Sequence, residues 1–165
     1  MNRLEGKVIL VAGAGGIGNG LARRYAAEGA QVVLGDINLA SAEEVVNEIK
    51  QNGGQALAVH LDGSNEQSVL DVVATCCKTF GGLDGLHANF ASLADSNPEL
   101  GILELPLEIF DEVQRVNARG FYLCTRAALP ELIKRDADAM IPTCARIRYV
   151  VKHKGLDLSI APRYA

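Results

Sequence analysis

The sequence contains no tryptophan, and only 5% of its 165 residues are aromatic. Long hydrophobic runs are also missing. No apolar run approaches the roughly 18–20 residues that a membrane-spanning helix needs, and the run from Val8 to Ala14 lies between Lys7 and a glycine cluster. We therefore expect neither a signal peptide nor a membrane anchor.

The cysteines and the basic residues form no pattern typical of a metal site or a nucleic-acid interface. The four cysteines make no C-x-x-C pair and have no metal-ligand spacing with the three histidines. A reduced, cytoplasmic setting without a metal site is expected. The sixteen Lys and Arg are spread along a chain of net charge −4, so nucleic acid is not an expected partner.

The remaining composition is typical of one compact domain, which we expect to cover residues 1–165. Apolar residues make up 48% of the chain and charged residues 22%, with 17 glycines. A chain of this length can remove about 70% of its unfolded surface from water, so it needs no disulfide or metal for stability.

Short apolar runs alternate with segments of helical periodicity. Strands are expected at residues 7–12, 31–35, 56–61, 83–88 and 139–141, with helices between them. Ser64-x-x-Gln67 predicts a capping box for the third helix, and residues 92–106 are expected to form a loop. A long helix should follow from residue 107 to about 134, with bends at Gly120 and Pro130. This alternation predicts an α/β fold, a three-layer, doubly wound parallel sheet of the Rossmann-like kind.

A glycine cluster stands between the first expected strand and the first expected helix. It matches G-x-G-x-x-G with Gly13, Gly15, Gly16, Ile17 and Gly18. Glycines there let the backbone approach a pyrophosphate, and the helix N-terminus directs free N–H groups at the anion. We expect these residues to bind a dinucleotide; a simple packing turn is the alternative.

Asp36 follows the second expected strand, eighteen residues after Gly18, with Ile37 beside it in the same predicted site. A carboxylate there can accept hydrogen bonds from the adenosine ribose hydroxyls, and it would repel a 2′-phosphate. NAD is therefore favoured over NADP. Alternatively, Asp36 begins a turn with Asn38.

Together these segments resemble the short-chain dehydrogenase/reductase family. The resemblance rests on the glycine turn, Asp36, Asp62, Leu83-Asp-Gly-Leu-His-Ala-Asn89 and the segment from Val116 to Pro130. It implies hydride transfer between NAD(H) and a small alcohol or ketone. It also implies a homodimer or homotetramer that packs through the long helix.

The resemblance also assigns individual residues. Asp62, followed by Gly63, would accept a hydrogen bond from the adenine amino group, and Asn89 would match the second Asn of N-N-A-G beside the cofactor. Asn117 would match the asparagine of the catalytic helix, whose carbonyl holds a water in a proton relay. The alternatives are a helix-entry role for Asp62 and a satisfied core amide for Asn117.

The family's catalytic tyrosine has its best match in Tyr149, with Lys152 as the cation that would lower the tyrosine pKa from about 10 towards the operating range. The family spacing is four residues, whereas here it is three. No serine lies between Ile141 and Tyr149, where Thr143 is the single hydroxyl side chain.

Other departures concern the cofactor region and the length. The glycine turn is one residue shorter than T-G-x-x-x-G-x-G, and Phe90 stands where the family has a small residue. His87 is expected to be a hydrogen-bonded structural residue.

Relative to the family, the chain is expected to be truncated after the fifth strand and the following helix. An active dehydrogenase whose sequence lacks residues, and a catalytically inactive dinucleotide-binding module that acts as sensor or subunit, remain alternatives. A flavodoxin-like nucleotide binder is a third.

Overall fold

The computed structural model describes residues 2–92, 103–135 and 139–142. Its elements in chain order are β1 (Val8–Ala12), α1 (Gly16–Ala27), β2 (Gln31–Asp36), α2 (Leu39–Gln51), β3 (Gln55–His60), α3 (Glu66–Phe80), β4 (Gly85–Ala88), α4 (Leu107–Val113), a π-helical segment (Gln114–Arg119), α5 (Gly120–Lys134) and β5 (Ala139–Pro142). The strands form one sheet in the order β3-β2-β1-β4-β5, and every described pair is parallel.

Strand β1 shows why the sheet is covered on both faces. Val8, Leu10 and Ala12 belong to one buried cluster, whereas Ile9 and Val11 belong to the other. Successive side chains of a strand point to opposite faces, so an uninterrupted apolar run fits a strand buried on both sides. The sheet is therefore the middle one of three layers.

The two outer layers are amphipathic helices. On one face α2 buries Val45 and Ile49 against the sheet. On the opposite face α3 buries Val69 and Val72 in the cluster to which Phe121 of α5 also belongs. This arrangement confirms the predicted doubly wound, Rossmann-like fold. The predicted helix after β5 lies outside the described residues.

The start of α3 differs from the expected capping box. The cap is Asn65, whose side chain accepts a hydrogen bond from Ser68 N at 3.0 Å. The Ser64 hydroxyl instead donates to Asp62 Oδ1 at 2.6 Å. Ser64 was misassigned because a neighbouring carboxylate competes for its hydroxyl, which a local sequence pattern does not show.

The long helix is also less regular than expected. Its irregularity is the π-helical segment, which ends directly before Gly120, and α5 continues through Pro130 to Lys134. π-helical turns inside α-helices are rare and often lie at functional sites. The segment contains Asn117.

The strand order reverses direction between β1 and β4, which are hydrogen-bonded neighbours. In open α/β sheets, ligands bind outside the carboxyl ends of the strands at such a switch point. Gly13 and Asn89 directly follow β1 and β4, so both stand at this position.

None of the helices in the described part of the chain combines the length and the hydropathy that a membrane-spanning segment requires.

Candidate functional site: a cleft at the switch point

A cleft of about 720 Å³ opens at the carboxyl ends of β1 and β4. Its volume is in the range of small-molecule and cofactor sites. The cleft brings together all the residues predicted for cofactor binding except Gly18, namely Gly13, Gly15, Gly16, Ile17, Asp36, Ile37, Asp62, Gly63 and Asn89. The sequence-predicted residues thus form one contiguous surface.

The glycine turn has the geometry of a close backbone approach. Gly13 has φ +113°, and a Cβ there would lie 2.6 Å from Phe90 N. A Cβ on Gly18 would collide with the Gly13 carbonyl. Gly18, although outside the cleft lining, is therefore needed to let α1 start close behind β1.

Gly15 and Gly16 serve a different purpose from those two glycines. A Cβ on either residue would meet no atom within 4 Å, and both line the cleft beside the start of α1. The first N–H groups of a helix have no intrahelical acceptor and carry partial positive charge. An anionic pyrophosphate fits this open surface.

Asp36 links the end of β2 to the glycine turn. Its Oδ2 accepts a hydrogen bond from Ala14 N at 2.6 Å, and its Oδ1 accepts one from Asn38 N at 2.8 Å. Asp36 therefore forms the expected turn with Asn38 and also lines the cleft. Next to it the Ile37 side chain is 68% exposed, so this lip of the cleft offers a carboxylate and an apolar surface side by side.

Asp62 lies across the cleft floor, after β3. Its Oδ1 accepts hydrogen bonds from Ser64 N at 2.9 Å and from the Ser64 hydroxyl at 2.6 Å. These bonds, the hydroxyl one foremost, lower the pKa of Asp62, and the charge of Arg115 acts in the same direction. Asp62 is thus an ionised acceptor at neutral pH.

Two arginines of the π-helical segment reach the same loop, and neither was predicted from the sequence to belong to the site. Arg115 Nη1 donates to the Ser64 hydroxyl, and Arg119 Nη1 donates to the Ser64 carbonyl at 2.8 Å. Glu112 binds the Arg115 guanidinium through two hydrogen bonds of 2.8 Å. The spacing of four between the arginines, which places side chains on one helix face, was the available signal.

Phe90 packs where the family resemblance expects a small residue. Its ring lies against Gly63 and Gly120, and its centroid is 4.9 Å from that of Phe121. A Cβ on Gly120 would come within 2.9 Å of Phe90 Cε2. The missing side chains at residues 63 and 120 therefore provide the room that the ring occupies.

Asn117 binds the chain segment that follows β4. Its Oδ1 accepts from Ser92 N at 2.7 Å, and its Nδ2 donates to Ser92 O at 2.9 Å. Ser92 lines the cleft. The Asn117 side chain is therefore a hydrogen-bonded amide, as one of the two interpretations expected. The other interpretation, in which the Asn117 backbone carbonyl holds a water of a proton relay, stays a prediction.

His87 is buried in β4 on the side of α1. Tyr25 Oη lies 3.1 Å from His87 Nδ1, and burial lowers the pKa of His87. This position confirms the expected structural, hydrogen-bonded histidine. His87 does not belong to the cleft lining.

The predicted catalytic residues Tyr149 and Lys152, together with Thr143, lie outside the described residues. The described part of the cleft thus contains the side that would bind a dinucleotide. Tyr149 as acid/base and Lys152 as its cation stay predictions.

Comparison with known proteins identifies the family. The sequence profile of the short chain dehydrogenase family matches residues 7–147. The chain belongs to this family. The match runs from the strand before the glycine turn to beyond β5, so the dehydrogenase profile covers the whole cleft described above.

Curated dehydrogenases are among the similar proteins. An uncharacterized oxidoreductase of Bacillus subtilis is 40% identical over 139 residues, which are 81% of this chain and 48% of that protein. A 2,5-dichloro-2,5-cyclohexadiene-1,4-diol dehydrogenase of Sphingobium indicum is 39% identical over 141 residues, 85% of this chain and 55% of its own length. The chain thus spans about half the length of these two relatives.

Solved dehydrogenase structures show the same fold. The hydroxysteroid dehydrogenase from Escherichia coli superposes with a TM-score of 0.74 at 30% identity, over 85% of this chain and 55% of that one. A mutant of a short-chain dehydrogenase/reductase of Serratia marcescens also has a TM-score of 0.74, at 29% identity, over 84% of this chain and 55% of its own. The family assignment and the doubly wound sheet therefore agree.

Proposed function

We propose that the chain binds NAD(H) in the cleft. We also propose that the protein is an oxidoreductase that transfers a hydride between nicotinamide and a small alcohol or ketone. The observation that carries the proposal is the position of Asp36, which lines the cleft and is hydrogen-bonded to the glycine turn through Ala14 N. A ribose diol bound beside this turn would meet the carboxylate as its acceptor.

The charges around the cleft support NAD rather than NADP. Arg115 is the single basic residue among the described residues that line the cleft, and Glu112 and Ser64 already bind its guanidinium. Asp36 stands at the lip formed by β2, where a 2′-phosphate would meet like charge. A phosphate there would gain no described cationic partner from the cleft lining.

The open glycine surface fits the remaining part of the cofactor. Gly15 and Gly16 leave room at the start of α1, and the exposed side chain of Ile17 adds apolar surface next to them. Asp62 would accept the adenine amino group at the other end. When bound, the nicotinamide ring accepts or delivers the hydride.

The proton step is assigned to residues outside the described part of the chain. In the proposal Tyr149 gives the proton to, or takes it from, the substrate oxygen, and Lys152 stabilises the tyrosinate. Asn117 would contribute through its backbone carbonyl. The rival, an inactive binding module, draws support from the Tyr149–Lys152 spacing of three instead of four.

Self-association is part of the proposal. Leu107, Phe110 and Tyr122, on α4 and α5, are exposed apolar side chains on the long helical region of the described structure. An exposed apolar surface on a helix is typical of protein contacts. We expect a homodimer or homotetramer formed through this region, with a sedimentation or light-scattering mass as its check.

The proposal is tested by titrating the protein with NADH and NADPH and following nicotinamide fluorescence. Wild type should bind NADH more tightly than NADPH. Asp36→Asn, which retains an acceptor oxygen but removes the charge, should lower the NADH affinity about tenfold or more and reduce the preference over NADPH. Asp71→Asn, an exposed carboxylate on α3, is the matched control. Absence of NADH binding at millimolar concentration would refute the proposal.

Enzyme and binding module are separated by a second measurement. NAD reduction is screened against secondary alcohols with the wild type and with Tyr149→Phe. A dehydrogenase is expected to lose activity in the variant while retaining NADH affinity. If the wild type binds NADH but oxidises none of the alcohols, the inactive binding module is favoured.

A further inference from the structure

Four side chains form a continuous chain of hydrogen bonds from the π-helical region to the floor of the cleft. Glu112 binds Arg115 through two bonds of 2.8 Å, and Arg115 Nη1 donates to the Ser64 hydroxyl. That hydroxyl donates its own proton to Asp62 Oδ1 at 2.6 Å. The series therefore runs from one carboxylate, through a cation and a hydroxyl, to a second carboxylate.

The two oxygens of Asp62 are in different situations. Oδ1 accepts from both the hydroxyl and the backbone N–H of Ser64. Among the described residues no donor binds Oδ2, although Asp62 lines the cleft. One oxygen is thus fixed by the protein, and the other is available to a ligand.

Three residues hold Ser64 in place, namely Asp62, Arg115 and Arg119. The Ser64 side chain is buried, with 4% of the residue exposed. Arg115 contacts its hydroxyl, and Arg119 Nη1 contacts its carbonyl at 2.8 Å. The two arginines therefore act differently: Arg119 holds the loop backbone, whereas Arg115 orients the hydroxyl that fixes Asp62.

We propose that Arg115 is a positioning residue for purine recognition, which, through the Ser64 hydroxyl, holds the Asp62 carboxylate so that Oδ2 accepts the exocyclic amino group of the adenine. This inference rests on the proposed binding of NAD(H). A carboxylate whose orientation is fixed before binding loses less conformational entropy on binding. A fixed acceptor also rejects a ligand that presents a carbonyl oxygen in place of an amino group.

The consequence is a preference between two dinucleotides that differ only at the purine, in the exocyclic group at C6 and in the hydrogen on the adjacent ring nitrogen N1. Reduced nicotinamide hypoxanthine dinucleotide carries an oxygen where NADH carries the adenine amino group, and both have the same fluorescent ring. Because the difference lies only at the purine, the ratio of the two dissociation constants reports on Asp62. General loosening of the cleft would weaken both ligands alike and leave the ratio unchanged.

The experiment measures both dissociation constants by fluorescence titration for the wild type, Arg115→Met, Ser64→Ala and Arg119→Met. Wild type should favour NADH about tenfold. Arg115→Met and Ser64→Ala should each narrow that ratio about threefold or more. Arg119→Met, which removes an equal charge from the same segment but leaves the Ser64 hydroxyl paired, should change it less. In the Ser64→Ala background, Arg115→Met should have little further effect.

Each outcome decides one question. A ratio that neither Arg115→Met nor Ser64→Ala alters, in a wild type that binds NADH, would overturn the positioning role alone. A wild type that binds neither dinucleotide would overturn dinucleotide binding itself. Circular dichroism establishes that each variant is folded; should Arg115→Met unfold, Ser64→Ala decides, because it leaves the Glu112–Arg115 pair in place.

Discussion

The ring of Phe90 fills the space that a side chain at Gly63 would need. A Cβ built on Gly63 would lie 2.6 Å from Phe90 Cε1 and 2.7 Å from Cε2. Carbon atoms in ordinary contact are about 3.5–4.0 Å apart. The aromatic ring at the end of β4 and the absent side chain after β3 are therefore two halves of one packing arrangement.

We first predict that Gly63→Ala is destabilising and that Phe90→Ala relieves it. Overpacking in a closely packed region costs about 1–3 kcal/mol, and the added methyl group has the ring as its neighbour. In the Phe90→Ala background the same substitution should cost much less. Urea denaturation of the four proteins gives the coupling energy, expected at about 1–2 kcal/mol.

The matched control for this cycle is Gly20→Ala. A Cβ at Gly20, on α1, would meet no atom within 4 Å. Since alanine is the better helix former by about 1 kcal/mol, this substitution should be neutral or stabilising. Equal costs for Gly63→Ala with and without the Phe90 ring would contradict the packing relationship.

Asn117 carries the second prediction. Its amide makes both hydrogen bonds to the backbone of Ser92. Asn117→Ala removes both bonds and should lower the free energy of unfolding by about 1–3 kcal/mol. Asn117→Asp retains the acceptor but places a carboxylate oxygen against the Ser92 carbonyl, so it should be no better than alanine.

Because Ser92 lines the cleft, both Asn117 variants should also weaken NADH binding in the fluorescence titration. Asn52→Ala provides the control. The Asn52 amide also donates to a backbone carbonyl, that of Glu48 at 2.9 Å, but it lies on the exposed end of α2. Wild-type stability and affinity in Asn117→Ala would show that this amide does not hold the segment.

The third prediction concerns pH and His87. Burial holds the pKa of His87 below its ordinary value of 6.5, so the folded state binds fewer protons than the unfolded state below that pH. The contribution of neutral His87 is fully present above pH 6.5 and is progressively lost as the pH falls towards the folded pKa. Unfolding free energies between pH 7.5 and pH 5.5 should decline in the wild type.

His87→Gln should flatten this decline, because glutamine does not titrate. His60→Gln is the control, since His60 is exposed at the end of β3. A decline of the same steepness in His87→Gln and the wild type would show that another group governs stability in this range. Tyr25, which lies 3.1 Å from His87 Nδ1, stays unchanged in all three proteins.

The fold, the glycine turn and the position of Asp36 followed from local sequence patterns, whereas the roles expected of Asp62 and Asn89 came from the family resemblance. The apolar run of β1, the glycines after it and the carboxylate of Asp36 lie near one another along the chain, and their spacing reflects strand, turn and helix periods. The sheet then brings Asp62 and Asn89 to the same edge, because all carboxyl ends of a parallel sheet point one way. Each predicted strand lies within two residues of the observed one.

The network around Ser64 could not be predicted in the same way. Arg115 is 51 residues from Ser64 along the chain, and Arg119 is 55 residues away. No period links such positions; only the packed fold shows that the π-helical segment lies over the loop after β3. The same limitation explains why the room for Phe90 was not foreseen, since Gly63 and Gly120 are distant from it along the chain. The capping box at Ser64 was wrong for a different reason, the competition of the neighbouring Asp62 carboxylate for the hydroxyl.

The bond between Asp36 Oδ2 and Ala14 N has a consequence for redesign of cofactor preference. The carboxylate that would select NAD also anchors the glycine turn, so one side chain performs two tasks. Replacing Asp36 by a small or basic residue to admit a 2′-phosphate would release the turn at the same moment. An engineered change of preference therefore needs a second substitution that supplies a new acceptor for the Ala14 N–H.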